Sequence, residues 1–309
     1  MKYSFFLKLP LFLIVSILLV SCNKETNTNT NADNNHGFDP IFEQGGIATY
    51  YDKIGLKETP ILQKINHNED YIVDFEIENL FTFDNKFKVF FFVNYKQTKI
   101  IINGKEHDFI DYGVIKSNES KGLQIDIPNL SEGRNEILVL TVRNPDKTLK
   151  KKEFVMGDFI HFTKRFIVVS GNEKQENNQK ITHKLRAIKD TNNPIKFPYL
   201  TSDIDPSEIT LESSTNPFKG KINFINNEKG SEYALIVLKN NKQISLDNSF
   251  FKVESTGRVE IPIDLNLDNK ANNIIITVVP NPFTKPNIGE QELNDLTTES
   301  ANKITMFKK

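Results

Sequence analysis

The stretch that decides the fold reads NEILVLTVRNP at positions 135–145, and a close match, NNIIITVVPNP, stands at positions 272–282. Each copy is a run of β-branched and other apolar residues that ends in the turn signal Asn-Pro. Asn144 and Asn281 begin that signal and lie 137 residues apart. The same strand pattern with the same ending, at this distance, predicts an internal duplication.

Further matches preserve the order of the elements. NYKQ at 94–97 corresponds to NNKQ at 240–243 with an offset of 146 residues, and GLQIDIP at 122–128 corresponds to GRVEIP at 257–262 with an offset of 135. KRFIVV, which begins at Lys164, takes the position of NKITMF, which begins at Asn302. The last residues of the chain are therefore predicted to form the final strand of a second unit, although their composition is typical of a tail.

The runs between these stretches have the pattern of short strands. YIVDFEI at 71–77 alternates in part, residues 87–95 are dense in aromatic and β-branched side chains, and residues 98–102 lead into Asn103-Gly104, a strong hairpin signal. No long helical period separates them, which indicates an all-β fold. We predict two tandem immunoglobulin-like β-sandwich domains. This is a likeness of architecture, because the chain has no Trp and no cysteine pair for the antibody-type core.

The amino end carries a targeting pattern. Lys2 and Lys8 precede an apolar run over residues 11–20, which is too short to span a bilayer. The run ends in Leu19-Val20-Ser21-Cys22. Cys22 is the only cysteine. This end resembles the lipobox of bacterial lipoproteins. The resemblance implies cleavage before Cys22, a diacylglycerol on its thiol and an acylated amino terminus. The alternatives are an uncleaved membrane-anchoring helix and a signal cut at Ser21 without lipid.

The predicted organisation follows from these segments. Residues 1–21 are a lipoprotein signal peptide, and residues 22–36, which hold no large apolar side chain, are a disordered tether. A first β-sandwich with its lead-in occupies 37–170, a polar linker 171–179 and a second β-sandwich 180–309. The resemblance places the protein at the cell membrane, lipid-anchored on the extracytoplasmic face, or at the outer membrane of a cell that has one.

The chemistry-bearing residues form few patterns. With 39 basic against 40 acidic residues the chain has no basic excess, so we predict no nucleic-acid partner. The five histidines lack ligand spacing, and we predict no cofactor. Asp203, Asp205 and Glu208 are weak calcium candidates near the domain boundary. Pro206 beside them makes a solvated turn the favoured interpretation.

No catalytic residue emerges from the sequence. Ser300 and Lys303 match Ser-x-x-Lys, but the companion motifs of that enzyme class are absent. We therefore predict that the chain is not an enzyme but a membrane-anchored binding or interaction module at the cell envelope, with an envelope protein or glycan as partner. The alternatives are an envelope enzyme or enzyme accessory, for example in glycan processing, whose site joins residues distant in sequence, and a structural spacer.

Overall fold

The computed structural model describes residues 45–53, 62–150, 158, 160–172, 181, 183–188, 198–201, 210–247, 249–283 and 301–309. Residues Phe38–Lys309 belong to one compact unit. Within the described ranges the chain forms strands joined by turns, and no helix combines the length and apolarity needed to cross a bilayer. The predicted signal peptide and tether lie outside the described residues, as do positions 173–179 of the predicted linker.

The first half of the chain forms a sandwich of two sheets. Its strands are β1 Ile47–Lys53, β2 Leu62–Ile65, β3 Tyr71–Asn79, β4 Asn85–Val93, β5 Lys96–Gln97, β6 Ile100–Ile102, β7 Lys105–His107, β8 Ile110–Ile115, β9 Ser120–Ile127, β10 Gly133–Arg143 and β11 Ile160–Ser170. One sheet has the order β1-β3-β9-β6-β7. The other has β11, β10 and β4 at its centre, with β2 parallel to β11 and with β5 and β8 on β4.

The second half repeats this plan. Its strands are β12 His183–Leu185, β13 Tyr199–Thr201, β14 Thr210–Ser213, β15 Phe218–Asn226, β16 Glu232–Lys239, β17 Lys242–Gln243, β18 Phe250–Val253, β19 Gly257–Leu265, β20 Ala271–Pro280 and β21 Ala301–Lys308. One sheet has the order β13-β15-β19, and the other is built on β16, β20 and β21, with β14 parallel to β21. The division of strands between the sheets is that of immunoglobulin-like sandwiches, so the predicted fold class is confirmed.

Backbone angles at equivalent turns support the duplication. Asn94 and Tyr95 have φ of 51° and 66°, and Asn240 and Asn241 have 49° and 72°. Two successive positive φ values define the type I′ turn that closes a two-residue hairpin. The predicted Asn103-Gly104 hairpin is also confirmed, since φ is 50° and 75° and β6 pairs with β7 around it. The predicted terminal strand is confirmed as β21, which pairs with β20.

Each sandwich has its own apolar core. In the first, Phe75 meets Phe91 edge to face at 5.8 Å between ring centroids, and both are buried. In the second, Tyr233 stacks on Phe251 at 5.7 Å and Phe224 packs against both rings. These aromatic side chains therefore fill the two cores.

A third apolar cluster, which we call the seam core, lies between the two sandwiches. Strand β4 is buried on both faces from Val89 to Phe92, because alternate residues face the first core and the second sandwich. Strands β10, β16 and β20 are buried in the same way. The seam core contains Phe90, Phe92, Tyr95, Leu138, Leu140 and Val142 from the first sandwich and Ala234, Ile236, Leu238, Ile275 and Val279 from the second.

The two sandwiches meet through equivalent residues. The backbone N–H of Gln97 donates to Oε1 of Gln243 at 2.6 Å, and the backbone N–H of Gln243 donates to Oε1 of Gln97 at 2.7 Å. Their Nε2 atoms donate to the carbonyls of Asn241 and Tyr95, which are also equivalent to each other. Such reciprocity defines a pseudo-two-fold axis, as in a symmetric dimer.

Two basic side chains repeat this symmetry elsewhere in the interface. Arg165 of β11 donates to the carbonyl of Asn281 at 2.8 Å, and Lys303 of β21 donates to the carbonyl of Asn144 at 3.0 Å. β11 also pairs with β21 directly, through His161 opposite Ala301, and joins both sheets into one of 13 strands. We call this pairing the junction. The junction thus lies in the middle of the 13-stranded sheet, while the glutamine pair joins β5 and β17, the short strands on β4 and β16, away from the junction.

Candidate functional site

Among the described residues, the two repeats differ clearly at the β6–β7 hairpin. Residues 98–109 connect β5 to β8 in the first sandwich, whereas residues 244–249 connect the equivalent strands β17 and β18 in the second. Ile100 fills the first core and Leu246, at the equivalent position, packs against the second core. The second sandwich has no hairpin here. Leu185 and Ala187 pack against its core instead, and Ile188 pairs with Arg258 of β19. The offset falls by 11 residues, from 146 to 135; the longer β5–β8 connection accounts for six of them and the stretch from β8 to Gly122 for the other five.

The hairpin encloses an open groove of about 790 Å³. Its lining combines apolar side chains with charged and titratable ones: Ile102, Phe109, Ile110 and Leu123 are apolar, Glu106, Asp108 and Asp111 are acidic, and Lys105 and His107 lie among them. A smaller hollow of about 380 Å³ shares Asp108 and continues to the glutamine pair, between Lys99 and Lys242. We call these two hollows together the hairpin groove. All three residues of β7 are exposed at the end of their sheet.

The sheet that carries the hairpin has an acidic outer face. Strand register places Asp74, Glu76 and Glu78 of β3 on this face together with Asp126 of β9 and Glu106 of β7. Lys, Arg and His are absent from the paired positions of this face that the structure describes. Burial, and then the charge of Asp70, raises the pKa of the Asp126 carboxyl. Lys99, from the connection before β6, pairs with Glu106 at 2.7 Å, and Gln124 donates to Asp74 at 3.3 Å. The paired positions of the face thus carry carboxylates in excess of cations.

On the equivalent face of the second sandwich, basic residues outnumber acidic ones at the paired positions. Lys219, Lys221 and Arg258 share it with Asp264 and Glu260. Glu260 contacts both neighbouring cations, at 2.5 Å to Lys221 and 2.9 Å to Arg258. The duplicated scaffold thus carries an acidic, hairpin-extended face in one copy and a compensated face in the other. A difference of this kind affects recognition more than folding.

A buried charged network anchors the interface. Arg165 donates to Glu136 at 2.7 Å, and both side chains are 1% exposed or less. Tyr95 donates its hydroxyl to the same carboxylate and packs edge to face on Phe283 of the second sandwich. Burial, and then the charge of Glu136, raises the pKa of the Tyr95 hydroxyl. Arg134 donates to the other carboxylate oxygen of Glu136 at 2.9 Å. The network joins the first sandwich to the second through the contacts of Arg165 with Asn281 and of Tyr95 with Phe283.

A second buried cluster lies beside the junction. Asp158 is 1% exposed and accepts from Arg143 at 3.2 Å and from Asn144 at 3.1 Å. Burial alone would raise the pKa of Asp158, but the hydrogen bonds from Lys147 and Asn144 and the charge of Arg143 hold it below its usual value. The carboxylate of Asp158 is therefore fully committed to these partners.

Two other buried groups of this cluster are poorly compensated. His161 is 1% exposed, and neither ring nitrogen has a hydrogen-bond partner. Burial, followed by the charges of Lys303 and Arg143, lowers the pKa of His161 well below its usual value. Burial also lowers the pKa of Lys303 to about 8.

The structure does not describe the site residues that the sequence predicts. Cys22 and the calcium candidates Asp203, Asp205 and Glu208 lie outside the described residues. Across the part of the chain that the structure does describe, no group of three or more His, Cys, Asp or Glu side chains is arranged to hold a metal ion. Lys303 of the Ser-x-x-Lys match faces the interface and donates to a backbone carbonyl.

Comparisons with known proteins give only distant likenesses. No protein-family model and no curated protein matches the chain. The solution structure of the CARDB domain of PF1109 from Pyrococcus furiosus matches 40% of this chain and 94% of its own, with 14% identity and a TM-score of 0.26. A crystal structure of that domain in complex with di-metal ions matches 42% of this chain and 97% of its own, with 16% identity and a TM-score of 0.26.

A red sea bream transglutaminase matches 86% of this chain and 31% of its own, with 8% identity and a TM-score of 0.23. These scores are too low to support an argument about function. The fold assignment therefore rests on the strand topology described above.

Proposed function

We propose that this chain is a lipid-anchored lipoprotein of the cell envelope that acts as a binding module, with the hairpin groove and the adjoining acidic face as its contact surface. The observation that carries this proposal is the β6–β7 hairpin, which the second sandwich does without. A hairpin that one copy of the scaffold has and the other lacks, exposed at a sheet end beside a groove, is typical of a recognition loop.

The composition of the groove supports a macromolecular partner. The half-buried side chains of Phe109 and Leu123 offer apolar surface for burial, while Glu106 and Asp108 provide hydrogen-bond acceptors and Lys105 a donor. Its openness suits a protein loop or glycan chain that enters from the side. The acidic face beside it would orient a partner with a cationic surface, so its contribution to binding is expected to weaken with salt.

The sandwich packing disfavours the spacer interpretation. A spacer gains reach when its domains are placed end to end, whereas here the seam core packs the two sandwiches face to face. The anchoring part of the proposal rests on the lipobox resemblance at Cys22. The tether of residues 22–36 would set the folded part a few tens of ångströms from the membrane, on the order of 5–6 Å times the square root of its length.

A loop replacement tests the contact surface. Residues 98–109 are replaced by residues 244–249 of the same chain, which keeps an apolar residue at the position of Ile100. The matched control removes Lys219 and Lys221 from the compensated face. Crosslinking in intact cells should recover one recurrent protein or glycan with the unaltered chain and with the control, and lose it with the replacement. Recovery of the same partner by a folded replacement variant would refute the assigned surface.

Mass spectrometry of the amino-terminal peptide tests the anchor separately. A mature chain that begins at a diacylglyceryl-modified Cys22 is expected in the membrane fraction. An unmodified chain in the culture fluid would refute the anchor.

A further inference from the structure

We infer that the junction between β11 and β21 is an acid-sensitive latch, which opens when His161 takes up a proton. This inference concerns the behaviour of the fold and does not depend on the proposed function. It rests on the position of His161, on its missing hydrogen-bond partners and on the charges around it.

The junction consists of few backbone pairs. His161 and its neighbour Ile160 provide the backbone pairing between the sheets of the two sandwiches, opposite Ala301 and Asn302. This pairing is short, whereas β10 and β11 pair over nine positions within the first sandwich. A perturbation of His161 therefore acts on a weak contact, and the longer ladders on either side need not open with it.

The surroundings of His161 suit a neutral ring. The side chain is 1% exposed and both ring nitrogens lack a partner, so an imidazolium formed there would place two charged N–H donors in a site without acceptors. Charged groups face this region from each packed element: Lys303 from β21, Arg143 from β10, and Asp158 from the segment before β11. Lys147 and Asp146 lie in the loop further out.

These charges oppose protonation. Lys303 and Arg143 are cations, and both lower the pKa of His161. Asp158 is the buried anion of the cluster, but Arg143, Asn144 and Lys147 already occupy its oxygens. A proton on His161 would thus create a third positive charge in a buried site whose anion is already paired. Opening the junction would expose the ring to water and relieve this repulsion.

The direction of the pH effect follows from linkage. His161 stays neutral in the closed state and has an ordinary pKa near 6.5 once exposed. The closed state is therefore favoured above about pH 6.5 and loses this advantage as the pH falls below it. The opening equilibrium should rise by up to about tenfold for each pH unit below that value. The seam core and the glutamine pair contain no histidine, so they should hold the part of the interface away from the junction closed.

Hydrogen exchange with mass spectrometry on the full chain tests this latch. Exchange is followed between pH 7.5 and pH 5.0 after correction for the intrinsic rate. We expect peptides that cover residues 160–163 and 301–303 to exchange about tenfold faster per pH unit below pH 6.5, while peptides that cover residues 137–142 keep their protection. His161→Leu should abolish this dependence, and the exposed His183→Leu should retain it.

Two results would overturn the inference. One is a pH profile of His161→Leu that parallels the unaltered chain, and the other is a loss of protection by the same factor at the junction and in residues 137–142. If His161→Leu does not fold, His161→Gln and the imidazole resonance of His161 in the unaltered chain replace it. That resonance should show no titration in the closed state above pH 6, and an ordinary titration there would contradict the latch.

Discussion

The seam core makes a quantitative prediction for Leu140→Ala. Leu140 is 1% exposed, lies on β10 and faces the second sandwich. Truncation of a buried leucine to alanine costs about 2–5 kcal/mol, because it removes apolar contacts and leaves a cavity. For a cooperative unit of 150–250 residues each kcal/mol lowers Tm by about 2–4 °C, so the expected fall is on the order of 10 °C.

The assay combines thermal melting by circular dichroism with hydrogen exchange in the second sandwich. Leu140→Ala should reduce protection in β16 and β20, whose side chains Ile236 and Ile275 share the seam core. Ile77→Ala, a buried residue of β3 away from the seam, provides the control for destabilisation that spreads by cooperativity alone. Protection in β16 and β20 at the unaltered value, despite a destabilised first sandwich, would refute the shared core.

Three further substitutions follow from the same contacts. Arg165→Met removes the fully buried cation of Glu136 and leaves that carboxylate with Arg134 and the Tyr95 hydroxyl, so it should cost about 1–3 kcal/mol in denaturant unfolding. A double variant that also replaces Glu136 with Leu should recover part of the loss, and no recovery would contradict this. The pKa of Lys303 is about 8 in the folded chain against an ordinary value of 10.5, so stability should rise from pH 8 towards 10.5 by up to about 3 kcal/mol, and Lys303→Met should flatten this rise. Gly257→Ala should lower Tm, since Gly257 has a φ of 127° and a Cβ there would lie 2.4 Å from the carbonyl oxygen of Ile188; an unchanged Tm would oppose this.

Much of the fold could be predicted from local patterns. The Asn103-Gly104 turn, the short strand runs and the repeated NEILVLTV-type stretch each indicate their structure through turn chemistry and β propensity. The final strand could be predicted only by duplication, because the polar positions of β21, such as Lys303 and Thr305, face the interface and disguise the pattern. Both are buried against the first sandwich, where Lys303 donates to the carbonyl of Asn144 and Thr305 accepts from the backbone N–H of Leu149, and composition does not reveal such contacts.

The seam core can be predicted from the sequence, because its strands lack the alternation of apolar and polar residues. A strand with one solvated face alternates, whereas VFFFV in β4 and ILVLTV in β10 are continuously apolar, which indicates burial on both faces. The buried polar groups left no such signal. Glu136 and Arg165, or Arg143 and Asp158, come together through strand pairing and loop return, and their separation along the chain carries no information about that contact.

The hairpin shows the same division between local and global information. Asn103-Gly104 predicts its turn. That only the first repeat contains the hairpin becomes clear when the segment from β5 to β8 is aligned with the segment from β17 to β18. The groove beside it depends on Leu123 of β9 and Phe109 before β8, which the fold brings next to the hairpin. A candidate site of this kind is therefore recognised by comparing two copies of one scaffold.

The most direct test of the contact surface is photocrosslinking in intact cells from a single position. A photoreactive residue replaces Glu106, which is exposed on β7, and in a second strain it replaces Lys219 on the compensated face of the second sandwich. We expect one recurrent adduct from position 106, and we expect that adduct to be absent from position 219. Equal labelling from both positions, or an adduct from position 219 alone, would contradict it.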